Sequence, residues 1–189
     1  MKLILASKSP RRREILSNLN IEFDIITADT NEDSDIKEPE KLVEELAFRK
    51  ADAVRNMLYA NGKLTDDCVI IGCDTVVSKD GAILGKPKDR KDAFLMLKTL
   101  SGSEHQVLSG VALLKGKKSV ISHEKTKVYF DNLSEKEIED YISSGECDDK
   151  AGAYGIQGLA SKFVKRIDGC YFNVVGLPVN LLYRMLKEI

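Results

Sequence analysis

The segment Cys68-Val69-Ile70-Ile71-Gly72-Cys73-Asp74-Thr75-Val76-Val77 is the most apolar strand candidate in the chain and constrains everything around it. The Lys79-Asp80-Gly81 turn behind it predicts a hairpin returning through Ala82–Leu84. A buried strand needs partners, and the sequence supplies them. Lys2–Ala6 and Phe23–Thr27 read as strands, Gln106–Leu114 and Val120–Phe130 as two long strands joined through Lys115-Gly116-Lys117-Lys118, and Phe163–Ile167 as another. Helices are expected from Ser9-Pro10 to about Leu19, from Pro39 to Tyr59, from the Asp89 cap to Leu100, from the Ser134/Glu137 capping box to Ser143, and from Pro178 onward. The expectation is an α/β fold, a mixed elongated sheet with flanking helices, in a single domain spanning residues 1–189.

Composition narrows the class. The chain has 189 residues, of which 43% are hydrophobic, enough for one substantial core. Lys plus Arg (29) nearly balance Asp plus Glu (30), so no global field draws in nucleic acid or an anionic membrane, and phosphate binding has to be local. The apolar start Leu3-Ile4-Leu5-Ala6 runs into Lys8 and Arg11-Arg12-Arg13, unlike a signal peptide, and no stretch approaches the ~18 apolar residues of a membrane helix. Cys68, Cys73, Cys147 and Cys170 form no C-x-x-C pair, so zinc and disulfide frameworks are not signalled and a reducing cytosol is the expected location.

Several residues look chemical. Ser7-Lys8-Ser9-Pro10-Arg11-Arg12-Arg13 gathers hydroxyls, free N–H groups and guanidinium forks at a helix start, which suits a polyphosphate. The same pattern also suits a capped helix whose arginines face water. Asp74-Thr75 lies at the end of the apolar run, where open α/β sheets place their ligand crevice, although an aspartate there also serves as a turn cap. Lys50 interrupts the apolar stripe Leu42, Val43, Leu46, Ala47, Ala53, Val54, Met57 and Leu58, standing four residues after Leu46 and four before Val54. Such a lysine either reaches a site or snorkels to the surface. Gly85-Lys86-Pro87 is not a Walker loop and by itself reads as a turn lysine. Asp148 to Gly158 holds three glycines, Tyr154 for stacking and Gln157 for base edges, a composition that also fits a purely structural loop. The acidic loop from Asp29 to Asp35, with Glu32, is most simply solvated, although paired carboxylates there suit Mg²⁺.

Taken together, Ala6-Ser7-Lys8-Ser9-Pro10-Arg11-Arg12, Phe48-Arg49-Lys50-Ala51, Gly72-Cys73-Asp74-Thr75-Val76-Val77, Gly85-Lys86-Pro87, Leu100-Ser101-Gly102 with His105, Asp149 to Gly158, and Asn173-Val174-Val175-Gly176-Leu177-Pro178 resemble the Maf family of nucleotide pyrophosphatases over essentially the whole chain. The resemblance implies a fold similar to the inosine-triphosphate pyrophosphatases, two lobes around a cleft, and commonly a homodimer. It implies hydrolysis of a nucleoside triphosphate to the monophosphate and pyrophosphate with a divalent cation, Mg²⁺ or Mn²⁺. By analogy Asp74 is the general base, Lys86 neutralises phosphate charge, Glu32 and Asp74 hold metal, and Ser7, Arg12 and Lys50 contact the triphosphate. Arg11, Thr75 and Gln157 match the trio marking the branch that acts on dTTP and UTP. Phe48 departs from the polar residue many relatives carry.

Two other readings compete. Asp74 as the nucleophile of a haloacid-dehalogenase-like phosphatase would need a D-x-D pattern, and Val76 stands at its second position. A nucleotide sensor acting in cell division would bind without turnover. An RNA platform fits poorly with 6% aromatic residues and near-zero net charge.

Overall fold

A computed structural model describes residues 2–189. The apolar run becomes β3 (Cys68–Lys79), buried along almost its whole length. β1 (Lys2–Leu5) lies parallel to its first residues, β2 (Phe23–Ile25) lies parallel to β1, and β4 (Ala82–Leu84) is the returning arm of the predicted hairpin. β5 (Glu104–Lys115), β6 (Lys118–Phe130) and β7 (Val164–Asp168) continue the sheet antiparallel on the other side. The order is β2-β1-β3-β5-β6-β7 with β4 also on β3, a mixed seven-stranded sheet as expected.

The helices start where the sequence places their caps. In α1 (Pro10–Asn18) Ser9 accepts from the Arg12 N–H, in α3 (Arg90–Leu100) Asp89 accepts from Asp92, and in α4 (Glu135–Ser143) the Ser134/Glu137 box is complete. The long amphipathic α2 (Pro39–Ala60) covers one face of the sheet with Val43, Ala47 and Ala51, all fully buried. α5 (Tyr171–Val175) was not foreseen; it is five residues long, lacks a side-chain cap and is too short to show a helical period. α6 (Val179–Glu188) closes the chain. Phe163 belongs to a short 3₁₀ turn rather than to the strand after it.

Strand alternation on β3 positions the site. Val69, Ile71 and Cys73 join a core cluster with α1 and α6, whereas Val77, on the same face, joins a second cluster with α3 and α4. Thr75 lies between the two. On the opposite face Ile70 belongs to one cluster under α2, Val76 to another, and Asp74 falls between them. The polar pair Asp74-Thr75 therefore marks a seam through the apolar layers. The strand edge opens at the same level: β1 pairs with β3 as far as Ile71 and β4 begins at Val77, so among the described residues 72–76 have no strand neighbour on that side.

Candidate active site

The seam carries charged groups on both faces. On the α2 face, Lys50 reaches down from the stripe it interrupts and its Nζ lies 2.6 Å from Asp74 Oδ1 and 2.9 Å from Glu32 Oε1. The pairing explains why α2 accepts a lysine whose side chain is only 17% exposed. Burial works against the ammonium, but the charge and hydrogen bond of Asp74 and the hydrogen bond of Glu32 outweigh it and hold the Lys50 pKa above its usual value. Burial likewise opposes ionisation of Glu32, and the Lys50 hydrogen bond and charge, helped by Lys86 and Arg12, bring its pKa below the ordinary carboxylate range. Asp74 Oδ2 makes no hydrogen bond to protein among the described residues.

On the other face, Arg12 is pinned at the open edge. Its Nε donates to the Gly176 carbonyl (2.8 Å), Nη1 to the Cys73 carbonyl (2.8 Å) and Ser7 Oγ (3.2 Å), and Nη2 to Thr75 Oγ1 (3.0 Å). The guanidinium thus substitutes for the missing strand neighbour and joins the segment after β1, β3 and the α5–α6 turn. One N–H of Nη2 is left over. Thr75 Oγ1 also shares a hydrogen bond with Ser109 Oγ on β5 (2.8 Å). Ser109 is fully buried and was missed; the signal was a hydroxyl inside an apolar strand.

A cavity of about 300 Å³ opens beside this network, lined by Arg11, Arg12, Thr75, Tyr154, Gln157 and Gly176 among others. Arg11, Thr75 and Gln157, expected to act together, do meet here. Arg11 donates to Asp149 Oδ2 (3.4 Å), and the other oxygen of that carboxylate, Oδ1, accepts from Lys150 (2.7 Å). Ser7 follows β1 and does not line the cavity; its Oγ accepts from Arg12 Nη1 (3.2 Å) and from the Ser9 N–H (3.2 Å). Lys86 does not line this cavity. It lies in a shallow depression between β4 and α3 with Lys88 and Asp92, and its charge reaches Glu32. Its loop is tied to the cavity loop by the Gly152 N–H, which donates to the Gly85 carbonyl (3.0 Å). Phe48 packs on the apolar cluster under α2.

His105 on β5 backs the cavity loop: its Nε2 is 2.8 Å from Tyr154 Oη, and its ring meets Phe130 edge-on. Burial first, and the Lys79 charge second, push its pKa down to about 4. Between about pH 6.5 and 4 the unfolded chain takes up a proton that the folded protein refuses, so stability falls as pH falls through that window. At pH 4.5 this one group is expected to cost about 2–3 kcal/mol relative to pH 7. Urea titrations of the wild type and His105→Gln at both pH values check it: the variant should be less stable at pH 7 yet lose clearly less on acidification. Equal losses would assign acid sensitivity to other groups.

The described residues contain no group of three His, Cys, Asp or Glu placed to hold a metal, and no helix long and apolar enough to cross a membrane. What they do contain is two carboxylates converging on one ammonium. The donor set of two carboxylates fits a hard cation that takes its remaining ligands from phosphate oxygens and water.

Comparison with known proteins agrees with this architecture. The fold is similar to that of the Staphylococcus aureus Ham1 protein, with a TM-score of 0.56 at 12% identity covering 100% of this chain and 99% of that one. A Caldanaerobacter subterraneus subsp. tengcongensis protein named dTTP/UTP pyrophosphatase is 51% identical, over 100% of this chain and 89% of the relative. A Geobacillus relative of the same name is 50% identical over 100% and 98%. The family model described as Maf-like protein matches residues 2–189, and with relatives at this identity over its full length the chain belongs to the Maf family.

Proposed function

We propose that this protein hydrolyses dTTP and UTP between the α and β phosphates, yielding the monophosphate and pyrophosphate. The observation that carries the reading is the seam: an ion-paired carboxylate centre under α2 and an arginine-lined cavity on the other face meet at the one open stretch of β3. A nucleotide lying over that edge would have its base in the cavity and its phosphates beside Asp74. The relatives' names agree with this substrate class.

Each residue then has a role that its surroundings support. Asp74 is held by Lys50 through Oδ1 alone, which leaves Oδ2 to take the proton of an attacking water. Lys50 stays an ammonium, so it serves as a charge against phosphate oxygens and not as a base. Ser7 and the unspent N–H of Arg12 would meet the triphosphate, and Lys86, whose charge already reaches Glu32, would neutralise phosphate from the β4–α3 side. Arg11, Thr75 and Gln157 line the base cavity. Asp74 and Glu32 would hold a divalent cation, Mg²⁺ or Mn²⁺, which when bound supplies charge neutralisation at the phosphates.

The test is a panel of dTTP, UTP, CTP, ATP, GTP and 7-methyl-GTP with Mg²⁺ or Mn²⁺, with the phosphate product identified. Pyrophosphate released chiefly from dTTP and UTP is the expected result. Orthophosphate would point to an aspartate-nucleophile phosphatase, and binding without turnover to a sensor.

A further inference from the structure

We propose that Glu146 and Tyr141 are positioning residues that set pyrimidine selectivity by clamping the Gly155–Gly158 turn, on which Gln157 is presented to the cavity. The proposal rests on the reading of Gln157 as a base-edge contact. Gln157 sits near the apex of a four-residue turn closed by the Gly158 N–H donating to the Gly155 carbonyl (3.2 Å). Beneath the turn lies a continuous polar chain. The Gly155 N–H donates to Tyr141 Oη (3.3 Å), the Tyr141 hydroxyl donates to Glu146 Oε1 (3.0 Å), and Glu146 Oε2 accepts the N–H of Leu159 (2.9 Å). One carboxylate therefore holds both ends of the turn, directly at Leu159 and through the phenol at Gly155.

The packing fixes the turn from the same side. A Cβ on Gly158 would overlap the Glu146 carboxylate, and one on Gly155 would come within 2.7 Å of the Lys150 stem. Lys150 is itself tied down, donating to Asp149 Oδ1 (2.7 Å) and to the Glu146 carbonyl (2.5 Å). Tyr141 is buried on α4 against Phe163, with 2% of its surface exposed, so the phenol cannot yield much. Burial and the neighbouring Glu146 both push its pKa up, which keeps the hydroxyl proton in place as the donor. Selectivity for a small base then depends on a glutamine whose backbone is held rigid by Tyr141 beneath the turn and by Glu146, which also lines the cavity.

The experiment compares Tyr141→Phe, Glu146→Gln, Gln157→Ala and the double variant Glu146→Gln/Gln157→Ala, using kcat/KM for UTP and for GTP, and the affinity for inorganic tripolyphosphate as a probe without a base. Tyr141→Phe and Glu146→Gln are each expected to lower the UTP-to-GTP ratio about tenfold, chiefly through KM for UTP, with tripolyphosphate affinity within about twofold of wild type. The double variant should be no less selective than Gln157→Ala alone, because both changes remove one function. Amide exchange at Gly155 and Leu159 should speed up in both single variants, and Tyr141→Phe, which removes a single oxygen, answers the question if Glu146→Gln folds poorly. An unchanged UTP-to-GTP ratio in the single variants, or additive losses in the double variant, would overturn the clamp. A wild type that does not prefer UTP to GTP would instead remove the base-reading premise, a result visible before any variant is made.

Discussion

Asp74→Asn is expected to lower kcat for dTTP and UTP by about a thousandfold, within the 10²–10⁴ range that a positioned general base contributes. The substitution is nearly isosteric. Its amide oxygen still accepts from the Lys50 ammonium, so the seam under α2 stays closed and Glu32 remains a full charge partner for the lysine. What disappears is the capacity to take a proton from water, together with one of the two charges proposed to hold the cation, so the assay is run at saturating Mg²⁺. KM is expected to stay within about threefold, because the proposed reading assigns the triphosphate to Ser7, Arg12, Lys50 and Lys86 and the base to the cavity. Steady-state kinetics with pyrophosphate detection, alongside a thermal melt, reads both quantities. A variant that melts like the wild type and turns over at the wild-type rate would remove Asp74 from the chemistry. A phosphorylated protein trapped during turnover of the wild type would make Asp74 a nucleophile.

Legibility in the sequence followed a physical rule here. Lys50 could be flagged because a charge in an apolar stripe breaks a period, and the structure supplies its reason in Asp74 and Glu32. Asp74 and Thr75 could be flagged because they end an apolar run. Their placement on opposite faces of β3, each between two core clusters, follows from alternation once the strand is known. Other features left no mark. Arg12 spends two of its hydrogen bonds on the carbonyls of Cys73 and Gly176, and a carbonyl carries no residue identity. The separation of Lys86 from the arginine-lined cavity depends on the register of the β3–β4 hairpin, which the turn residues suggest but do not fix. Glu146 was overlooked because one glutamate in a polar stretch has nothing periodic about it; its meaning comes from Tyr141 and Leu159, residues brought to it by the fold.

Gly110→Ala is expected to destabilise the protein by about 3 kcal/mol, at the upper end of what overpacking a close-fitted core costs. At roughly 2–4 °C per kcal/mol for a chain of this size, the melting temperature should fall by about 6–12 °C. Gly110 on β5 is the cross-strand partner of Asp74, and α2 crosses directly above it. A Cβ there would overlap the backbone of Val43 and come within 2.8 Å of the Glu44 nitrogen. These are main-chain atoms in the second turn of a helix, so no rotamer change relieves the clash; α2 has to lift from the sheet. Gly72 meets the same helix one step away, at the Ala47 carbonyl and 2.9 Å from the Ala51 Cβ, so Gly72→Ala should behave alike. The helix that lifts is the one carrying Lys50. A displacement of about 1 Å would stretch its 2.6 Å contact to Asp74, and misplacement on that scale can cost about a hundredfold in rate. Gly85→Ala is the control: its Cβ would meet nothing within 4 Å, and it should stay within about 0.5 kcal/mol of wild type. If Gly110→Ala melted like Gly85→Ala while losing activity, close packing of α2 would not be what the glycine provides, and its place beside Asp74 would have to be explained by the chemistry alone.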